Sequence, residues 1–111
     1  MDREQWKGNM DLLILSILRQ DDAYGFQIIS KVNKLSEGSY QLSEGTLYSV
    51  LKRLERKKAI SSYWGDESQG GRRKYYTITP LGVDVHQEKL NGWKQVNRII
   101  SEVNKEGEPN E

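Results

Sequence analysis

In Ser43-Glu44-Gly45-Thr46-Leu47-Tyr48-Ser49-Val50-Leu51-Lys52-Arg53-Leu54-Glu55-Arg56, apolar residues recur at Leu47, Val50, Leu51 and Leu54. Spacings of i, i+3, i+4 and i+7 place them on one stripe of an α-helix. Ser43 stands where a helix N-cap is expected. Gly45, Ser49, Lys52, Arg53 and Arg56 fall on the opposite face, with Thr46 and Tyr48 on the flanks. The segment therefore predicts an amphipathic helix with a small, polar and basic outer face.

Toward the C-terminus, Ile60, Ser62 and Trp64 alternate with Ser61 and Tyr63, and Arg73 to Thr79 is rich in Tyr, Thr and Ile. Both segments favour strands. The glycine-rich run Gly65-Asp66-Glu67-Ser68-Gln69-Gly70-Gly71 between them predicts a long-tipped β-hairpin. Thr79-Pro80 starts the next helix, with Thr as cap and Pro in the first turn. In that helix His86, Leu90, Trp93, Val96, Ile100 and Val103 recur every three or four residues, as along a coiled-coil seam. Ile99 adjoins the seam, and Gly107 and Pro109 end the helix.

Toward the N-terminus, Met10 to Leu18 is apolar nearly all round, which suits a helix buried on more than one side. Its polar lead-in, Arg3 to Asn9, extends it outward. Asp21-Asp22 offers an N-cap to a second helix carrying Ile28, Ile29, Val32 and Leu35, which Glu37-Gly38-Ser39 ends.

Three helices, two strands and a last helix, in that order, predict a mainly α fold with a small β-hairpin. This is a winged helix-turn-helix over residues 1–79, a C-terminal dimerisation helix over 80–105 and a disordered tail over 106–111. The 111 residues suit one domain, and a hydrophobic fraction of 35% suits a small core supplemented by a partner subunit. The absence of cysteine excludes disulfides and Cys-ligated metals. Neither a signal peptide nor a membrane span is evident, so a cytoplasmic location is expected. No cofactor is expected.

The net charge of +1 is unevenly placed. Between Ser43 and Thr79 eight basic residues face four acidic ones, a local +4, which leaves −3 for the rest of the chain. A basic middle of this kind fits a phosphate-binding surface as well as a solvated charged face. The helix from Ser43 fits DNA: small residues near its N-terminus allow close approach, backbone N–H groups there can bind phosphate, and Lys52, Arg53 and Arg56 extend the contacts. In the hairpin, Gly70 and Gly71 allow the backbone to come close, and Arg72, Arg73 and Lys74 supply charge suited to a narrow minor groove. The candidate DNA-binding residues are Ser43, Gly45, Thr46, Tyr48, Ser49, Lys52, Arg53, Arg56, Gly70, Gly71, Arg72, Arg73 and Lys74, and the expected partner is double-stranded, pseudo-palindromic operator DNA.

Three motifs in order resemble the PadR family of bacterial repressors: Tyr24-Gly25-Phe26-Gln27-Ile28, Gly45 to Glu55, and Gly71-Arg72-Arg73-Lys74-Tyr75-Tyr76-Thr77-Ile78-Thr79-Pro80-Leu81-Gly82. The short single C-terminal helix resembles the smaller, multidrug-sensing subgroup. The resemblance implies a homodimer in which the last helix packs on the first helix of the other subunit, here through Leu90, Trp93, Val96, Ile99, Ile100 and Val103. It implies repression of the protein's own promoter or of a neighbouring transporter or detoxification gene. It also implies that a planar aromatic small molecule enters a central pore and stacks between two symmetry-related tryptophans. Trp93 matches that tryptophan, and Gly8, Leu12, Ser16 and Leu90 match other pore positions. Asn97 stands where the multidrug sensor has an acidic residue, which reduces the preference for cations.

Alternatives stay open at this level. Trp93 also fits dimer packing. Trp64 reads as a structural residue of the wing, and Trp6 lies near the implied pore without a defined role. A repressor without a ligand, or a winged helix that binds protein, shares the same order of elements. An enzyme is disfavoured: His86 is the single histidine and reads as packed on the seam, and no nucleophile elbow or phosphate loop is present.

Overall fold

A computed structural model describes residues 3–65 and 72–106. The elements are α1 (Arg3–Gln20), β1 (Ala23–Tyr24), α2 (Gly25–Leu35), α3 (Glu44–Arg56), β2 (Ile60–Trp64), β3 (Lys74–Ile78) and α4 (Pro80–Glu106). The predicted order of helices and hairpin strands is present, with one addition. The β component is a three-stranded antiparallel sheet in the order β1-β3-β2, not a two-stranded hairpin alone. Ala23 pairs with Tyr76 and Tyr24 with Tyr75, while Ile60 to Trp64 pair with Ile78 to Lys74.

β1 also corrects the expected start of α2. Asp21 and Asp22 precede β1 and do not cap the helix. The helix begins at Gly25, and the Gln27 side chain reaches back to accept from the Tyr24 amide at 3.1 Å. Asp22 instead accepts from the Tyr63 hydroxyl at 2.7 Å, across to β2. Two residues of strand suffice because β3 supplies partners for backbone groups that a helix start would leave open.

The other boundaries follow local chemistry. Glu37 and Gly38 take φ of 54° and 80°, and the Gly38 amide donates to Asn33 O at 3.0 Å, closing α2. Ser43 Oγ accepts from the Thr46 amide at 3.2 Å and caps α3. Thr79 Oγ1 accepts from the Gly82 amide at 3.0 Å at the start of α4.

The core lies where α1, α2, α3 and the inner face of the sheet meet. Ile14, Leu15 and Leu18 of α1 pack with Ile28 and Val32 of α2, Leu47, Leu51 and Leu54 of α3, and Ile60 and Tyr76 of the sheet. The first turns of α4 join them, burying Gly82 and His86. From Gln87 to Lys105 the helix is exposed apart from the half-buried Leu90. Glu106 is the last described residue of α4, and 107–111 of the expected tail lie outside the described residues.

Candidate nucleic-acid interface and adjoining clefts

The leucine stripe of α3 faces the core, with Leu47, Val50, Leu51 and Leu54 buried, so its opposite face is turned outward. Gly45, Thr46, Ser49, Lys52 and Arg56 are exposed on it, and Ser43 is exposed at its N-cap. A Cβ at Gly45 would meet nothing within 4 Å, so nothing in the chain obstructs approach there. Tyr48 is half exposed, its ring leaning over Gly25 of α2.

Arg53 differs from its neighbours. Its guanidinium is paired with the Asp11 carboxylate of α1, which draws it off the outer face. Sequence spacing placed it with Lys52 and Arg56, but it lies on the flank that α1 reaches. On the inner side, Glu55 accepts from Ser62 Oγ at 2.8 Å and ties α3 to β2.

The cations of the hairpin rest on aromatic rings. Arg72 lies 5.2 Å from the Trp64 ring centroid, Arg73 lies 4.7 Å from Tyr24, and Lys74 lies 5.7 Å from Tyr76. Such contacts hold long cationic side chains in place against the sheet. Trp64, at the end of β2, carries Arg72 on a ring that is itself 56% exposed. The outer face of the sheet carries a row of tyrosines: Tyr63 stacks on Tyr75 at 5.6 Å and Tyr24 meets Tyr75 edge-on at 5.4 Å. The Asp22 carboxylate, accepting from Tyr63, pushes that phenol up to about 12. Gly70 and Gly71 of the expected DNA site lie outside the described residues.

The residues matched to a pore converge on Trp93. An apolar cleft of about 310 Å³ is lined by Trp6, Asn9, Leu12, Leu13, Ser16, Leu90 and Trp93. A second, charged cleft of about 390 Å³ includes Gly8, Leu12 and Trp93 together with Lys7, Asp11, Arg53 and Lys89. Gly8, Leu12, Ser16 and Leu90, four of the five expected ligand residues other than Trp93 itself, therefore line clefts beside it. Asn97 lines neither cleft; its side-chain amide donates to Trp93 O at 3.2 Å, along its own helix. Trp6 was not among the expected site residues, although Trp6, Asn9, Leu13 and Ser16 recur at spacings of three, four and three, enough to read one face of α1.

His86 joins α1 to α4. Its Nε2 lies 3.0 Å from Ser16 Oγ and its Nδ1 accepts from Arg19 at 3.1 Å. Nδ1 can accept only when unprotonated, which makes Nε2 the ring donor to Ser16. Burial and then the Arg19 charge lower the pKa of the ring, favouring the neutral form. Farther along α4, Trp93, Val96, Ile99, Ile100 and Val103 are all exposed, between 47% and 63%. Among the described residues no acidic, His or Cys cluster could hold a metal, and no helix is long and apolar enough to cross a membrane.

A helix with a polar outer face beside a cation-bearing hairpin is the arrangement of winged-helix transcriptional regulators, and the solved structures agree. A transcriptional regulator from Clostridium thermocellum matches with a TM-score of 0.82 at 34% identity, covering 92% of this chain and 96% of that one. Bacillus subtilis PadR, solved in complex with operator DNA, shares the fold at a TM-score of 0.65 and 22% identity, over 73% of this chain and 46% of that one. An uncharacterized protein, protein X of Lysinibacillus sphaericus, is 42% identical over 94 residues, 85% of this chain and 86% of its own. Residues 14–88 match the profile of the transcriptional regulator PadR-like family, and the chain belongs to that family. Family and fold are those of regulators rather than enzymes.

Proposed function

We propose that the protein is a homodimeric transcriptional repressor that binds pseudo-palindromic operator DNA and is induced by planar aromatic molecules at the dimer interface. Its target would be an efflux transporter or detoxification gene. The observation that carries the DNA-binding part is the combination of an unobstructed, polar α3 face with wing cations held on aromatic rings. The operator complex of the Bacillus subtilis neighbour, which shares the fold, is in keeping with it.

Two copies related by a two-fold axis present two α3 helices and two wings to two half-sites. The exposed apolar residues along α4 are the surface such a dimer would cover. A ligand beside Trp93 would then act at the axis that sets the half-site spacing. It would induce only by binding the arrangement that fits DNA poorly more tightly than the one that fits.

The test is a salt titration of binding to the promoter fragment upstream of the protein's own gene. Phosphate contacts release counterions, so log K should fall linearly with log salt, with a slope of about −0.9 per phosphate neutralised. A chain that does not bind the fragment even at low salt would instead favour a winged helix that docks on protein.

A further inference from the structure

Arg53 starts from the outer side of α3 but does not end there. Ser49 and Arg56, four residues before it and three after, share its side of the helix and are exposed, as is Lys52 next to it. The Arg53 guanidinium is nevertheless paired with the Asp11 carboxylate of α1, 42 positions away. The arginine side chain is 40% exposed and the aspartate 17%, so the cation lies at the rim of the pair and the carboxylate farther in.

A guanidinium binds carboxylate and phosphate through the same planar fork of donors. Asp11 therefore offers Arg53 the kind of partner that an operator phosphate would offer. A cation already neutralised within the protein contributes little to counterion release when DNA arrives. Moving Arg53 to a phosphate would also strand the Asp11 carboxylate, largely shielded from water, without its partner, and such stranding is costly. The pair thus opposes the use of Arg53 on DNA, although its neighbours on α3 stand free to reach it.

We propose that Asp11 is an internal competitor of the operator phosphates for Arg53, and so limits how many phosphates α3 neutralises. The proposal rests on the reading that α3 faces operator DNA. It gives a residue of α1 control over the salt dependence of binding. Phosphate contacts carry no sequence information. By holding back one cation on each α3, Asp11 lowers affinity for any duplex and leaves a larger share of binding to contacts with base edges.

The experiment titrates full-length wild type, Asp11→Asn, Arg53→Gln and the double variant at several salt concentrations. The DNA is the fragment upstream of the protein's own gene, alongside an unrelated duplex of equal length. Asparagine keeps the shape of aspartate and removes its charge. Asp11→Asn should bind both duplexes more tightly, with a salt slope steeper by about 0.9 for each Arg53 released. Between about 50 and 200 mM salt, that is a further loss of about three- to fourfold per arginine. Adding Arg53→Gln should cancel the gain. A gain that persists in the double variant would come from the lost Asp11 charge and not from Arg53, and would overturn the proposal. Weaker binding by Asp11→Asn would overturn it as well, because the pair would then serve to position α3. If Asp11→Asn does not fold, side-chain NMR of the wild-type complex with DNA decides. Arg53 should remain in contact with Asp11, and an Arg53 contact to phosphate would overturn the proposal. If wild type binds neither duplex at low salt, the DNA-binding reading falls too. If it binds and the slopes of wild type and Asp11→Asn coincide, only the role of Asp11 falls.

Discussion

The phenolic end of Tyr48 on α3 occupies the space where a side chain at Gly25 on α2 would begin: a Cβ built at Gly25 stands 2.2 Å from Tyr48 Oη and 2.9 Å from Cζ. The two helices of the DNA-binding motif are in contact at this point, and glycine is what lets the tyrosine lie across the start of α2. Gly25→Ala should swing Tyr48 outward and cost about 1 kcal/mol, as overpacking does. Because the obstacle is the end of a flexible side chain, Gly25→Ala should be nearly neutral when combined with Tyr48→Ala. Urea unfolding of the four proteins of this double-mutant cycle measures the coupling, and additive losses would contradict the contact.

Gly82 is tighter, because its obstacle is backbone. A Cβ there would stand 2.0 Å from Ala59 O and 2.7 Å from Ile78 Cγ1. The same Ala59 carbonyl accepts from the Thr79 amide at 3.0 Å, and Thr79 Oγ1 caps the helix. Gly82→Ala should therefore cost at least about 1–3 kcal/mol, with no flexible partner to relieve it. Thr79→Ala should cost about 1 kcal/mol through the lost cap. Denaturant midpoints distinguish the two.

His86 predicts a pH dependence with a definite sign. Its folded pKa is lowered by burial and by Arg19. The unfolded chain therefore takes up the proton more readily than the folded one. Stability should be at its full value above the ordinary histidine pKa of about 6.5 and fall as the pH drops below it. Thermal or urea unfolding as a function of pH should show this loss, and His86→Gln should remove that part of the dependence.

The basic residues should separate by their effect on the salt slope. Arg72→Ala and Arg73→Ala should each reduce operator affinity and flatten the slope by about 0.9 if each neutralises one phosphate. Arg53→Gln should leave the slope unchanged, because that guanidinium is engaged by Asp11. Operator titrations at several salt concentrations read all three.

The apolar face of α4 predicts assembly. Ile100 is 54% exposed and lies among Val96, Ile99 and Val103, which are similarly exposed. Ile100→Glu should convert a dimer to a monomer at micromolar concentration, as read by sedimentation velocity. A wild-type chain that sediments as a monomer would remove the basis for the dimer.

Most helices were legible in the sequence. Leu47, Val50, Leu51 and Leu54 specify α3 by spacing alone, and Ser43 and Thr79-Pro80 mark helix starts by local hydrogen bonding and fixed φ. Strands β2 and β3 were legible from β-favouring residues on either side of a glycine-rich run. β1 was not: two residues carry no periodicity, and Ala23-Tyr24 becomes a strand only because Tyr75 and Tyr76 lie alongside. For the same reason Asp22 read as a helix cap, while its partner Tyr63 lies 41 positions away.

Sequence by itself determined the class of fold, the outward face of α3 and the cationic base of the wing, because each depends on interactions within a few residues. The tertiary structure alone decided that Arg53 turns to Asp11, that Trp6 stacks on Tyr40, and that His86 bridges Ser16 and Arg19. Those pairings join residues 34 to 70 positions apart. Local periodicity states which side of a helix is buried, but the partner is chosen by how the helices pack, where volume, charge and hydrogen-bonding capacity must be satisfied together.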